Sequence, residues 1–194
     1  MKWRQGMRRI DVTALLLLAV LCADAIAQAP VVSDKVFRSA VHDITFRYPL
    51  AWIEKEPQLP TTAVLLYATD SSDATCNVNA AVLPELKGLS DVRLDALRKT
   101  NHLRPFFEET FQKTLSEVSI LRYWRSHFGQ KDAGAVEYEH TLRVGDTKIR
   151  VRAFMTATFA NGRRYTLNCN APLRKTEGAA QAFDFIRSTT LFIH

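Results

Sequence analysis

The chain has 194 residues, of which 26 are lysine or arginine and 20 are aspartate or glutamate, giving a formal net charge of +6. That length suits one domain of ordinary size with a substantial core. The excess of positive charge falls well short of a nucleic-acid-binding signature, which excludes nucleic acid as the expected partner, whereas weak contact with an anionic membrane surface stays open.

The N-terminus has the pattern of a cleavable signal peptide. Four basic residues precede an uncharged apolar run at residues 14–21, which is too short to span a bilayer as a helix. The small-residue pattern Ala25-Ile26-Ala27 then suits cleavage after Ala27, with cleavage after Ala25 as the second choice. We therefore expect a signal peptide at residues 1–27 and a mature protein in the periplasm or outside the cell.

Three other interpretations of this segment remain open. A lipoprotein anchored through Cys22 is one, although Leu21 and Val20 stand where small residues are usual. Arg8 and Arg9 suggest twin-arginine export, but Asp11 occupies a position where that signal has an apolar residue. The third is an uncleaved anchor.

Cleavage after Ala27 removes four basic and two acidic residues, so the mature chain keeps a net charge of +4.

After a flexible leader at residues 28–35, residues 36–194 are expected to form a single domain. Alternating apolar residues predict strands at residues 36–39, 44–47, 62–69, 75–83, 119–128, 135–144, 147–159, 163–171 and 190–193, with a further strand after Trp52. Helices are predicted from Ser90 or Asp91, from Pro105 and after a Thr176 cap. This order predicts an α+β fold in which helices flank an antiparallel β-sheet.

Two turns set the register of the long C-terminal strands. Gly145-Asp146 predicts a two-residue hairpin that places Glu139 opposite Arg152 and Arg143 opposite Lys148. At the next turn we expect a three-residue loop, Ala160-Asn161-Gly162. That loop pairs Met155 with Leu167, Ala157 with Tyr165 and Ala153 with Cys169, which keeps one face apolar, whereas a two-residue loop would oppose Met155 to Asn168 and Phe154 to Cys169.

Cys76 and Cys169 remain as an even pair once Cys22 has left with the signal peptide. In an oxidising compartment we expect them to form a disulfide, with two buried free thiols as the alternative. Both cysteines alternate with apolar residues in their strands, so both should point into the core. Asn77 and Asn79 would then share the opposite face with Asn168 and Asn170 if the two strands are neighbours.

Three stretches resemble the PsbP-like fold family, which includes exported bacterial domain proteins. They are residues 44–49 followed by Trp52, the hairpin at Gly145-Asp146, and residues 164–172 leading into residues 183–192. The resemblance implies an α/β/α sandwich, a sheet between layers of helices. It also implies an accessory or binding role, because members of this family are not generally enzymes.

Residue patterns that carry chemistry are missing from the sequence. The five histidines are widely separated, and no metal-binding spacing, glycine-rich phosphate loop or Gly-x-Ser-x-Gly elbow occurs. We expect His140, on an apolar face beside Tyr138 and Leu142, to be a core residue. The expectation is therefore a protein that is not an enzyme and that has no metal, catalytic residue or cofactor.

Basic residues are the best candidates for a binding surface, and the sequence leaves open whether the turns that carry them meet in a single patch. They are Arg143, Lys148, Arg150, Arg163 and Arg164. The leading hypothesis is an exported, non-enzymatic binding or accessory domain of the cell envelope that engages another protein. The alternative is a periplasmic carrier of a small apolar or anionic molecule, held between the sheet and the helices.

Overall fold

The computed structural model describes residues 33–70, 72–99 and 103–193. The expected signal peptide, the first part of the expected leader, and the residues Cys22, His102 and His194 lie outside these ranges. The elements, in chain order, are β1 (Asp34–Ser39), β2 (Ile44–Pro49), β3 (Trp52–Lys55), β4 (Thr62–Ala68), β5 (Thr75–Val82), α1 (Asp91–Lys99), α2 (Leu103–Thr114), β6 (Ser116–Phe128), β7 (Lys131–Val144), β8 (Thr147–Ala160), β9 (Arg163–Pro172), α3 (Thr176–Thr189) and β10 (Leu191–Phe192).

The strands form two antiparallel sheets. The small sheet has the order β1-β2-β10, and the large sheet has the order β3-β4-β5-β9-β8-β7-β6. Every strand pair in both sheets is antiparallel. The expected α+β fold with an antiparallel sheet flanked by helices is therefore confirmed.

Helices cover the two faces of the large sheet in different places. The first face packs against α3 and the small sheet, and its core includes Phe154, Leu167 and Phe183. The second face packs against α1 and α2, and its core includes Phe107 and Val136. Because β8 lies between the two layers, most of its residues are buried whichever face they point to.

The hairpin between β7 and β8 has the predicted register. Gly145 has a φ of 60°, and Val144 pairs with Thr147 across a two-residue turn. Glu139 lies opposite Arg152, and the Nη2 of that arginine is 2.7 Å from the carboxylate Oε1. The turn prediction was correct here because Gly145 adopts the positive φ that the first position of the predicted two-residue loop requires, and the length of that loop sets the pairing.

The predicted register between β8 and β9 was wrong. The loop is the two-residue turn Asn161-Gly162, with φ values of 49° and 70°, so that Met155 pairs with Asn168 and Phe154 with Cys169. The prediction assumed one apolar face, but β8 is buried on both faces and apolar matching cannot choose between registers. On the second face the amide oxygen of Asn168 accepts a hydrogen bond from the Tyr138 hydroxyl, 3.1 Å away.

Some element boundaries also differ from those predicted. β1 begins at Asp34, so that the last two residues of the expected leader belong to the strand. α2 begins at Leu103 rather than at Pro105. Thr176 is the first residue of α3 instead of its cap, and the residue before it makes no side-chain capping bond. Element ends are commonly defined only to within one or two residues, and these shifts leave the topology unchanged.

The disulfide joins the central strands of the large sheet, as expected. Cys76 of β5 lies directly opposite Cys169 of β9, with their Cα atoms 4.0 Å apart, and the two sulfurs are bonded. On the other face Asn77 opposes Asn168, and the Thr75 hydroxyl donates to Asn170 Oδ1 over 3.0 Å. The alternation of apolar and amide residues therefore predicted correctly which side chains lie on each face of the sheet.

Candidate functional site

The three predicted basic residues near the β7–β8 turn lie on an exposed part of the first face. Lys148 is 2.8 Å from a carboxylate oxygen of Glu117. Arg150 donates to the backbone carbonyl of Glu117 and lies 3.7 Å from Glu139. Arg143 lies opposite Lys148 in the register of β7 and β8, so two like charges are neighbours there. Neighbouring carboxylates thus offset much of the charge at this end.

Arg163 and Arg164 lie at the other end of β8, so the structure does not bring the five predicted residues into one patch. Arg163 is 3.4 Å from a carboxylate oxygen of Asp43. The half-buried guanidinium of Arg164 lies 3.9 Å from the centre of the Phe106 ring, and burial lowers its pKa. These two arginines therefore attach neighbouring segments to the sheet.

A more promising surface lies along β6, the outer strand of the large sheet. Within the described ranges no strand pairs with its free side. Ile120 opposes Tyr138, and Arg125 opposes Gly134, so both side chains lie on the second face beside α2. A Cβ on Gly134 would lie 3.0 Å from Leu103 Cβ, which shows how closely α2 approaches the sheet at this point.

An apolar cavity opens between the end of α2 and the first half of β6. Its volume is about 320 Å³. The residues around it are Glu108, Phe111, Gln112, Leu115, Val118 and Ile120. Ile120 is 38% exposed although it is apolar. The cavity can therefore accept one aliphatic side chain from another molecule, which would cover surface that now faces water.

Two further cavities lie beside the second half of β6 and are basic. Their volumes are about 250 Å³ and 310 Å³, and they share Arg98, Lys99, Arg125 and Ala133. Arg98 is buried, donates to the Phe159 carbonyl over 2.8 Å and is paired with Asp95. It therefore anchors α1 to β8 and is not available to a ligand.

Lys99 and Arg125 are the available cations. Both are exposed, and neither forms an ion pair with a carboxylate among residues 33–70, 72–99 and 103–193. The guanidinium of Arg125 donates to the backbone carbonyl of Lys99 over 3.2 Å, which holds the two residues together. Two uncompensated positive charges on one wall attract a negatively charged group.

Arg104 and Tyr123 connect the apolar and basic ends. The guanidinium of Arg104 lies 4.9 Å from the centre of the Tyr123 ring and 3.0 Å from a carboxylate oxygen of Glu108. Burial, together with the Glu108 carboxylate, raises the pKa of Tyr123. We use the name α2–β6 groove for the surface along β6 that includes both ends, formed by Leu115, Val118, Ile120, Tyr123, Arg104, Lys99 and Arg125.

Sequence reasoning did not find the α2–β6 groove. The strand itself was predicted, but two irregularities in its pairing, before Ser119 and between Ile120 and Arg122, change which residues share a face. A simple alternation therefore places Ile120 on the face opposite to Arg125. The available signal was the basic pair Arg98-Lys99 just before a helix that begins with apolar residues, opposite a strand that also carries arginines.

The described histidines and carboxylates give no candidate metal site. His140 is buried and stacks on Tyr138 with ring centres 5.6 Å apart, as predicted for a core residue, and desolvation lowers its pKa. The described residues contain no group of three or more histidine, cysteine or acidic side chains placed to hold a metal ion. None of the described helices combines the length and the apolar character needed to cross a membrane.

A large antiparallel sheet with α1 and α2 on one face, and α3 with a small sheet on the other, defines an α/β/α sandwich. No protein-family model and no curated protein sequence matches the chain. Among solved structures the chain is similar to cyanobacterial PsbP (CyanoP) from Synechocystis, with a TM-score of 0.57, 15% identity, and coverage of 88% of this chain and 98% of that one.

Two other solved structures extend this likeness. The Ran-binding protein Mog1p of Saccharomyces cerevisiae gives a TM-score of 0.53 at 11% identity, over 84% of this chain and 96% of that one. A protein from Bacteroides thetaiotaomicron gives 0.51 at 14% identity over 82% of this chain, which spans 48% of that protein. The chain therefore has the PsbP-like fold, which Mog1p shares, and the resemblance seen in the sequence is confirmed.

Proposed function

We propose that this protein is an exported, non-enzymatic binding domain of the cell envelope that engages another protein through the α2–β6 groove. The observation that carries the proposal is the groove itself. It has a strand edge that no described strand covers, an apolar cavity at one end, and at the other end two cations that form no ion pair with a described carboxylate. Exposed apolar surface next to unpaired charge is typical of interaction sites. The Ran-binding neighbour supports protein binding as a use of this fold.

The disulfide supports export to an oxidising compartment. Cytosolic reductants keep most thiols reduced, whereas bonds such as Cys76–Cys169 persist in the periplasm and outside the cell. The basic and apolar pattern of residues 1–27 supports the same conclusion. Mass spectrometry of the protein from an envelope fraction should find an N-terminus at Gln28 or Ile26. An intact Met1 start would contradict export by cleavage, and a lipid on Cys22 would establish an anchored form.

A carrier of a small anionic molecule is the second candidate, and the basic cavities favour it. At about 250 Å³ one cavity is smaller than the usual range of ligand pockets, about 300–1,000 Å³, and at about 310 Å³ the other reaches only its lower end. Both open at the surface beside Lys99 and Arg125. A small anion would occupy this end alone and would leave the apolar cavity at Ile120 without a role.

Affinity isolation from an envelope extract tests the proposal. The mature chain is immobilised as wild type, as Ile120→Glu and as the control Val36→Glu, which changes an exposed apolar residue of β1, itself an edge strand of the small sheet. We expect wild type and control to retain a partner protein in stoichiometric amount. The variant Ile120→Glu should retain at least about tenfold less of it. Equal retention by all three would contradict binding through the groove. A bound small anion that is lost on Arg125→Glu would support the carrier.

A further inference from the structure

We propose that the partner contributes an extended segment that adds to the free side of β6 as an eighth strand of the large sheet. An apolar side chain of that segment fills the cavity beside Ile120, and acidic side chains lie beside Lys99 and Arg125. This inference rests on the proposed function, because it specifies the partner of the same groove. It predicts both the backbone conformation and the side-chain pattern of the ligand.

The backbone of β6 provides the hydrogen-bonding groups for such an addition. From Arg122 to Phe128 the strand pairs without interruption with Glu137 to Lys131 of β7. In an antiparallel ladder about half of the N–H and C=O groups of a strand point away from its neighbour. Those of β6 point away from the sheet, where no described strand meets them. Extended peptides commonly bind to open sheet edges of this kind.

The register of β6 against β7 gives the spacing of the ligand. Ile120 lies level with Tyr138, and Arg125 lies level with Gly134, which is four residues away along β7. Four residues of strand span about 13 Å. A strand added to β6 would run past the same two positions. Its apolar residue beside the cavity would therefore be four residues away from its acidic residue beside Arg125. A second acidic residue, six from the apolar one, comes level with His127 and Asp132.

The charges on this surface select an acidic segment. Lys99 and Arg125 lack carboxylate partners among the described residues, whereas Arg122 points to the first face and lies 2.7 Å from Glu137. Among the described residues, one carboxylate lines the basic cavities, that of Asp132, which lies 3.4 Å from His127. An acidic side chain on the added strand would therefore be attracted by two cations that form no ion pair with a described carboxylate.

A second copy of this chain fits the edge less well. Two β6 strands paired antiparallel about their centre would bring two copies of Arg122 together, because that residue is in the middle of the strand. Like charges directly opposite each other destabilise a pair of strands. The opposition of the two arginines therefore discourages self-association and leaves the edge open to a heterologous segment.

A designed peptide tests this inference with a defined probe. It consists of threonines except for one leucine and two aspartates. The aspartates are placed four and six residues from the leucine, which matches the spacing of Tyr138, Gly134 and Asp132 along β7. The peptide is made with this sequence in both chain directions. Binding of the fluorescent peptide is measured by anisotropy. We expect binding to wild type and to the control Lys87→Glu/Arg174→Glu, and at least about tenfold weaker binding to Lys99→Glu/Arg125→Glu. Replacing the aspartates with lysine should restore binding to the latter variant.

Backbone methylation separates strand addition from docking of side chains alone. Two further peptides carry N-methyl groups on alternate residues, one on the odd set and the other on the even set. Only one set donates to the edge of β6, so one peptide should lose about tenfold or more in affinity and the other should not. Equal binding by both methylated peptides would overturn the inference. It would also be overturned if the designed peptide did not bind at all although Ile120→Glu abolished capture of the envelope partner. Capture that is unaffected by Ile120→Glu would instead contradict the proposed function.

Discussion

The central strands β5 and β9 differ from the outer strand β6 in how their side chains are used. In β5 the residues Cys76, Val78 and Ala80 are buried and alternate with half-buried amides. In β6 most residues are exposed, including Ile120 and Leu121 at 38% and 44%. The comparison indicates that the best-buried part of this sheet is its centre, whereas the binding surface proposed above lies at one edge.

The largest expected effect comes from truncating the core next to the central strands. Phe183 is 2% exposed and lies 6.0 Å from Phe154, measured between ring centres. Phe183→Ala should lower the free energy of unfolding by about 3–5 kcal/mol through lost burial and a cavity. Ile120→Ala should lower it by less than about 1 kcal/mol, because that side chain is already partly hydrated. Urea unfolding of both variants measures the difference, and similar losses would invalidate the division between centre and edge.

Removal of the disulfide should have the next largest effect. The bond between Cys76 and Cys169 closes a separation of 93 residues. Cys76→Ala/Cys169→Ala should lower the free energy of unfolding by about 2–4 kcal/mol, in part because the unfolded chain gains freedom. Peptide binding at the distant β6 should be unchanged in the variant as long as it is folded. Loss of binding by a folded variant would show that the two regions are coupled.

Acidification should destabilise the protein to a smaller extent through His140. Burial is the main cause of the lowered pKa of this histidine, and nearby Arg150 adds to it. The unfolded chain therefore takes up a proton near the ordinary value of 6.5 while the folded chain stays neutral, so stability is complete above that pH and falls as the pH decreases below it. His140→Gln should flatten the dependence of the urea midpoint on pH between about 7.5 and about 5. An unchanged slope would contradict this assignment.

Charge reversal in the groove should have the smallest effect on stability. Lys99 and Arg125 are exposed and form no carboxylate pair within the described ranges. Lys99→Glu/Arg125→Glu should change the free energy of unfolding by no more than about 0.5 kcal/mol, as should Lys87→Glu/Arg174→Glu. Thermal unfolding compares the two. A clear loss in the groove variant alone would mean that these cations support the fold and are not held for a ligand.

The sequence was most informative where the local chemistry has only one outcome. A glycine at a two-residue turn fixed the register of β7 and β8, and the pair Glu139–Arg152 followed from it. The alternation around Cys76 and Cys169 placed both sulfurs in the core, and the disulfide followed. In both cases nearby residues determine the geometry, so no knowledge of distant packing is needed.

The sequence was uninformative where packing on two faces or an irregular ladder decides the outcome. β8 is buried between two layers, and its register against β9 could not be chosen from apolar residues such as Met155. The α2–β6 groove depends on how α2 lies over the sheet and on a change of register at Ile120. Neither leaves a periodic signal, whereas the basic residues that do stand out, such as Lys148 and Arg163, are largely paired with carboxylates.

Hydrogen exchange of the folded protein, alone and saturated with the designed peptide, tests the central claim most directly. In the free protein the amides of β5 and β9 should exchange slowly, and those of β6 that point away from β7 should exchange fast. The peptide should protect those β6 amides, between Arg122 and Phe128, and leave β5 and β9 unchanged. Slow exchange along all of β6 in the free protein, or protection by the peptide at another strand, would contradict an open binding edge.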